Sequence, residues 1–104
     1  MFSYTILKGG KAVTSIKKGE NKFFVGEDEQ NPAAEITFEL SEEDHLVVDH
    51  TFVSDELRGQ GMAGKLVERV VNHARDERKK IVPVCSYAKE KMEKTSEYQD
   101  VLAD

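Results

Sequence analysis

Residues 45–77 read HLVVDHTFVSDELRGQGMAGKLVERVVNHARDE, and their hydrophobic period changes once, at the glycines. Before the glycines, His45 to Val53 is a run of β-formers, which reads as a strand. Leu46, Val47 and Val48 are contiguous, which predicts a central strand covered on both faces. After the glycines, Ala63, Leu66, Val67, Val70, Val71 and Ala74 recur at helical spacing on one stripe. Glu68, Arg69, Asn72, Arg75 and Asp76 take the other side. The spacing predicts a helix over Gly59 to Glu77.

Upstream, Ala34, Ile36, Phe38 and Leu40 alternate with Glu35, Thr37 and Glu39, the period of a strand with one buried face. Ser41 to Asp44 supplies the turn between this strand and the next. Asn21 to Val25 is a further strand, followed by a turn at Asn31-Pro32. Tyr4 to Leu7 and Ala12 to Lys17 are weaker strand signals. Downstream, Ile81 to Cys85 is a short strand. Its Pro83 has no N–H, so the strand should have an exposed or splayed edge there. A short helix over Tyr87 to Lys94 and one more turn over Tyr98 to Leu102 complete the chain. Strands joined by short turns should be antiparallel, and the two joined by the long helix should be parallel. The expected fold is α+β (α/β): a mixed, mostly antiparallel sheet with one long helix and one short C-terminal helix.

A chain of 104 residues fits one domain. No stretch is apolar and long enough to span a bilayer, and the start shows no leader pattern. The single cysteine, Cys85, cannot form an internal disulfide, which suits a reducing, cytoplasmic setting. The net charge of -5 argues against a general nucleic-acid binder, which needs clustered cations. The acidic groups Glu27-Asp28-Glu29 and Glu42-Glu43-Asp44 read as solvated turns.

Gly59, Gly61 and Gly64 fall within six positions at the start of the long helix. Glycine costs roughly 1 kcal/mol against alanine inside a helix, so three of them suggest that bare backbone is needed. A helix N-terminus offers unpaired N–H groups and the positive end of its dipole. A diphosphate can rest on such donors, and Arg58 adds a fork for phosphate oxygens. The alternative is that the glycines only shape a turn and ease packing. The loop lacks the Gly-Lys-Ser/Thr ending of a Walker loop and the spacing of the dinucleotide fingerprint.

Arg58-Gly59-Gln60-Gly61-Met62-Ala63 matches the Gln/Arg-x-x-Gly-x-Gly/Ala motif of the GNAT superfamily at every specified position. From about Phe23 onward the chain resembles the small, single-domain GNAT-like acetyl-CoA-binding proteins. The likeness is carried by His50-Thr51-Phe52-Val53, the Arg58 loop, Ile81 to Tyr87, and Glu97-Tyr98-Gln99-Asp100. The resemblance implies a splayed parallel pair, His45–Val53 and Ile81–Cys85, with the pantetheine arm and thioester of acetyl-CoA in the gap. It implies a pyrophosphate on the N–H groups from Gly59 to Ala63, and a backbone donor near Val53 for the thioester carbonyl. Phe52, Val53, Arg58, Gly59, Gln60, Gly61, Met62, Ala63 and Ser86 are then the acetyl-CoA-binding positions. The acceptor would be an amine, with amines on proteins among the candidates.

Many members follow the second parallel strand with Asn-x-x-Ala-x-x-x-Tyr, whose Tyr is the acid. Here Ala88 fits, while Cys85 replaces the Asn and Met92 the Tyr. Tyr87 is the substitute proton donor, Cys85 the candidate nucleophile, and His50 the candidate base. Against these stand plainer roles, a small buried hydrophobe for Cys85 and a satisfied polar residue for His50. His45, His50 and His73 lack zinc-site spacing, so no metal is expected. The function classes are therefore an acetyl-CoA-dependent N-acetyltransferase, a non-catalytic acetyl-CoA-binding or sensing module, and a plain interaction domain.

Overall fold

The computed structural model describes residues 5–6, 12–13 and 16–103. Two short strands, β1 (Thr5–Ile6) and β2 (Ala12–Val13), pair antiparallel. The remaining parts of the expected strands Tyr4–Leu7 and Ala12–Lys17 that fall at 4, 7, 14 and 15 lie outside the described residues. The main sheet has five strands: β3 (Lys17–Gly19), β4 (Lys22–Val25), β5 (Ala34–Leu40), β6 (Leu46–Val53) and β7 (Ile81–Pro83), in that spatial order. The first four are antiparallel neighbours, and β6 and β7 are parallel. Between them runs helix α1 (Met62–Glu77). After β7 come helix α2 (Ser86–Lys94) and a 3-10 segment, Ser96–Val101.

One face of the sheet packs on α1. Ala34, Ile36 and Phe38 of β5, with Leu46 and Val48 of β6, meet the α1 stripe of Leu66, Val67, Val70, Val71 and Ala74. Each such side chain contributes roughly 1.5–3 kcal/mol when fully buried, alanine less. His73 also belongs to this packing. It lies edge-on to Phe23, with ring centroids 5.6 Å apart, and against Phe38 at 5.7 Å. Burial first, and then Lys18, hold its pKa below the ordinary histidine value. Arg75 anchors the C-terminal segment by a two-pronged contact with the Asp100 carboxylate, both arms 3.0 Å.

Two sequence expectations need correction. β6 is interior to the sheet, between β5 and β7, but it is not covered on both faces. Leu46 and Val48 are buried, whereas Val47 is half-buried and Asp49 and His50 are exposed. Val47 shares the face opposite α1 with Glu35, Thr37 and Glu39, which are half-buried or exposed, so only one side of β6 is covered there; beyond Val48 the register also shifts. Thr37 pairs with His50 and Phe38 with Val48, so Asp49 is an extra residue, a β-bulge. Leu40, expected on the buried face, is 58% exposed at the end of β5, beside the Ser41–Asp44 turn.

Pro83 fits its strand because β7 lies at the sheet edge. The N–H of Val84 goes to the Val48 carbonyl on the β6 side. By alternation, the Pro83 nitrogen faces the outer edge, where no ladder donor is demanded.

Truncating a fully buried β5 side chain should therefore cost far more than truncating an exposed one. Ile36→Ala should lower stability by about 2–5 kcal/mol, and Leu40→Ala should change it by less than about 0.5 kcal/mol. Urea denaturation of the two variants measures the contrast.

Candidate active site at the open end of the parallel strands

The β6–β7 ladder runs only from Leu46↔Ile81 to Val48↔Pro83. The N–H groups of Val84 and Cys85 both donate to the Val48 carbonyl, at 2.9 and 3.0 Å. Beyond that point β7 turns into α2, while β6 continues for five residues beside β5. A gap opens between the two chains. Its β6 wall follows from the hydrogen-bond pattern. Ser54 N–H donates to the Ala33 carbonyl, so the even positions there face β5. The backbone groups of Thr51 and Val53 consequently face the gap. The Val53 carbonyl accepts from Arg58 Nε at 3.3 Å, and the Arg58 guanidinium also lies 3.4 Å from Asp55.

The loop from β6 to α1 contains a 3-10 turn, Asp55–Leu57, that the sequence patterns did not reveal. The helix was expected from Gly59 but begins at Met62. Gly59 has φ +84 and Gly61 has φ +73, left-handed values that a right-handed helix excludes. A Cβ added at either glycine would meet nothing within 4 Å. Crowding by the protein therefore does not explain them. The backbone conformation does, and it leaves an open surface in front of α1. No side chain caps that helix start, and its first turn holds no acidic residue. Among the described residues, the first N–H groups of α1 therefore have no side-chain partner or nearby carboxylate in that turn, the arrangement an anion needs. Met62 can offer only its N–H, because its side chain is buried in the core. Gln60 is exposed, its amide donating to the Glu56 carbonyl at 3.4 Å.

Across the gap, Cys85 is the N-cap residue of α2. Its Sγ lies 3.4 Å from Thr51 Oγ1, a residue on β6 that sequence reasoning passed over. Burial is the largest influence on the thiol and pushes its pKa up. The Thr51 hydroxyl and the backbone amides of Ala88, Tyr87 and Thr51 outweigh burial together, and the net shift is downward. A lower pKa means more thiolate at a given pH, hence a stronger nucleophile population. Tyr87 moves the other way. Burial, then the Glu90 carboxylate, raise its pKa and keep the phenol protonated. Its hydroxyl lies 3.6 Å from where a Gly64 Cβ would stand, so it reaches the first turn of α1. Ser86 opens α2 and is exposed.

Not every expected site residue converges here. Thr51 and Val53 pair with Ile36 and Ala34, so their side chains share the α1 face. His50 and Phe52 pair with Thr37 and Glu35 and lie on the opposite face. His50 is 55% exposed, with Nε2 3.6 Å from one Glu35 carboxylate oxygen, while Lys22 contacts the other at 3.1 Å. His50, the candidate base, therefore lies on the sheet face opposite Thr51, whose side chain contacts Cys85, because adjacent strand residues point to opposite faces. Among the described residues no three His, Cys, Asp or Glu side chains converge as a metal site would require. Among the described residues no helix is long and apolar enough to cross a membrane.

Comparison with known proteins agrees with this architecture. The profile of the GCN5-related N-acetyl-transferase family matches residues 22–101. A solution NMR structure of a GCN5-like protein from Staphylococcus aureus, described as a candidate N-acetyltransferase, is 50% identical, with a TM-score of 0.74. The match covers 86% of this chain and 88% of that one. The ribosomal-protein-alanine N-acetyltransferase of Brucella melitensis biovar Abortus 2308 is 20% identical over 80% of this chain and 63% of its own, with a TM-score of 0.49. No curated protein matches. The chain belongs to the GCN5-related N-acetyltransferase family, a family of acetyltransferase enzymes.

Gly61 and Gly64 should separate by backbone conformation. Gly61→Ala forces a left-handed alanine and should cost about 1 kcal/mol. Gly64→Ala sits in the helix, where its Cβ would make ordinary 3.6 Å contacts, and should be neutral or stabilise by up to about 1 kcal/mol. Chemical denaturation of both variants checks the opposite signs.

Proposed function

We propose that this protein binds acetyl-CoA at the open end of β6 and β7 and transfers the acetyl group to an amine. One observation carries the reading: an uncapped, glycine-lined helix start stands beside a parallel pair whose gap ends at Cys85. The N–H groups from Gly59 to Ala63 would take the pyrophosphate, with Arg58 as the adjoining cation. The gap-facing backbone groups of Thr51 and Val53 would line the pantetheine arm, with Ser86 at the opposite rim. Phe52 lies on the far sheet face and would serve only as the outer border of that gap. Acetyl-CoA, when bound, supplies the acetyl group as an activated thioester.

The protein's own groups divide the remaining work. The Val53 N–H would donate to the thioester carbonyl and to the charge that develops on its oxygen. The Cys85 thiolate would attack the acetyl carbon as its bond to the CoA sulfur breaks, protonated Tyr87 would donate to that departing sulfur, and the amine would then take the acetyl group from Cys85 and release the thiolate. His50 serves from the other face, as the acceptor of the proton that an incoming amine must lose. We assign the whole chain to a single domain that works in a reducing, cytoplasmic setting, since a reacting thiol must stay unpaired.

One observation favours a second reading, a non-catalytic acetyl-CoA-binding or sensing module. Met92, at the position where many relatives place their acid, is fully buried in the core and carries no proton.

Calorimetry with acetyl-CoA and a CoA-release assay over a panel of protein and small-molecule amines test the proposal. The expected result is binding with turnover, and turnover reduced roughly 10²-fold or more in Cys85→Ala with binding retained. Binding without turnover on any amine would leave only the sensing module. Absence of binding to CoA and acetyl-CoA would sink both readings.

A further inference from the structure

Cys85 and Thr51 are 34 positions apart, yet their side chains meet at 3.4 Å where the two strands have parted. Three facts make this contact more than packing. The Thr51 hydroxyl can either accept from a thiol or donate to a thiolate. The Thr51 backbone faces the gap, and its N–H favours the thiolate from the same side. The amides of Tyr87 and Ala88 favour the thiolate from the α2 side, although the Cys85 side chain makes no capping hydrogen bond to them. The Thr51 hydroxyl is thus the one hydrogen-bond partner of the sulfur among the described residues.

We infer that Thr51 is a positioning residue for the reacting thiol: its hydroxyl turns from accepting the Sγ–H to donating to the thiolate. The inference rests on the proposed role of Cys85. Ionisation leaves the proton with solvent, and Thr51 holds the sulfur over the end of β6 without itself ionising. The charged and titratable groups on the neighbouring elements do not replace it. Asp49 and His50 of β6 point to the other sheet face. Arg58 is turned onto the Val53 carbonyl and Asp55. Tyr87 and Lys91 of α2 both reach toward Gly64, and Lys89 of α2 and Lys65 of α1 are exposed. The five largest influences on the thiol contain no charge.

The test is the pH dependence of Cys85 alkylation by iodoacetamide, which reports the thiolate directly. Cys85 is the only cysteine in the chain, so the signal has one source. Thr51→Val keeps the β-branched shape and removes the hydroxyl. It should move the alkylation midpoint up by about 0.5–1 pH unit and slow the reaction at pH 7 about three- to tenfold. Thr51→Ser should restore both. If Thr51→Val does not fold, Thr51→Ala is read the same way. Superimposable profiles for the parent and the hydroxyl-free variant would overturn the inference, as would a Thr51→Ser profile that stays with the valine. The readout needs no acetyl-CoA, so a protein that alkylates as expected but transfers no acetyl group would refute the transfer reading alone.

Discussion

Two amides, those of Val84 and Cys85, converge on one carbonyl, that of Val48, and the parallel ladder ends there. The rest of the site depends on this convergence. A parallel strand normally spaces its donors evenly along its neighbour. Placing two on one acceptor spends the last hydrogen bond and releases β7 into α2. On the β6 side, the bulge at Asp49 carries the strand onward beside β5. Bulges re-aim strands and the side chains beyond them. Here the bulge puts Thr51 and Val53 on the α1 face, with their backbone groups toward the gap, and sends His50 and Phe52 outward.

The same geometry unites two features that differ in kind. The α1 start is open because its glycines hold left-handed backbone and carry no side chain, leaving uncapped donors. The Cys85 environment is closed by comparison. Burial of the half-buried sulfur disfavours its thiolate, but the Thr51 hydroxyl and the nearby backbone amides favour it more, and the net shift is downward. An uncapped helix start and a polarised thiol thus both border the opening between β6 and α2, which suits the proposed ligand with its diphosphate and its thioester.

Much of the architecture was legible in the residues. Ala34 to Leu40 alternates cleanly, and β5 spans those residues. The α1 stripe predicted the buried face of that helix, and the glycine motif pointed to its start. What the patterns missed were non-local or single-residue effects. Leu46-Val47-Val48 suggests two covered faces, whereas Val47 lies on the thinly covered face opposite α1, and one extra residue at Asp49 resets the alternation beyond it. A one-residue slip inverts every later side chain, so the face that His50 occupies was beyond reach of periodicity. Thr51 looked like an ordinary strand threonine, because its partner lies on another strand and only the fold brings them together. The helix start was placed three residues early, since left-handed glycines and helical glycines look alike in sequence.

The central claim is that acetyl-CoA occupies the gap below Val48 with its diphosphate on the α1 start. An amide-resolved NMR titration of the 15N-labelled protein with acetyl-CoA tests it most directly. The account predicts that the amides of Gly59, Gly61, Ala63, Thr51 and Val53 shift together, in one saturable process, while those of β3 stay in place. Saturable binding that shifts amides elsewhere and leaves these five unmoved would contradict it.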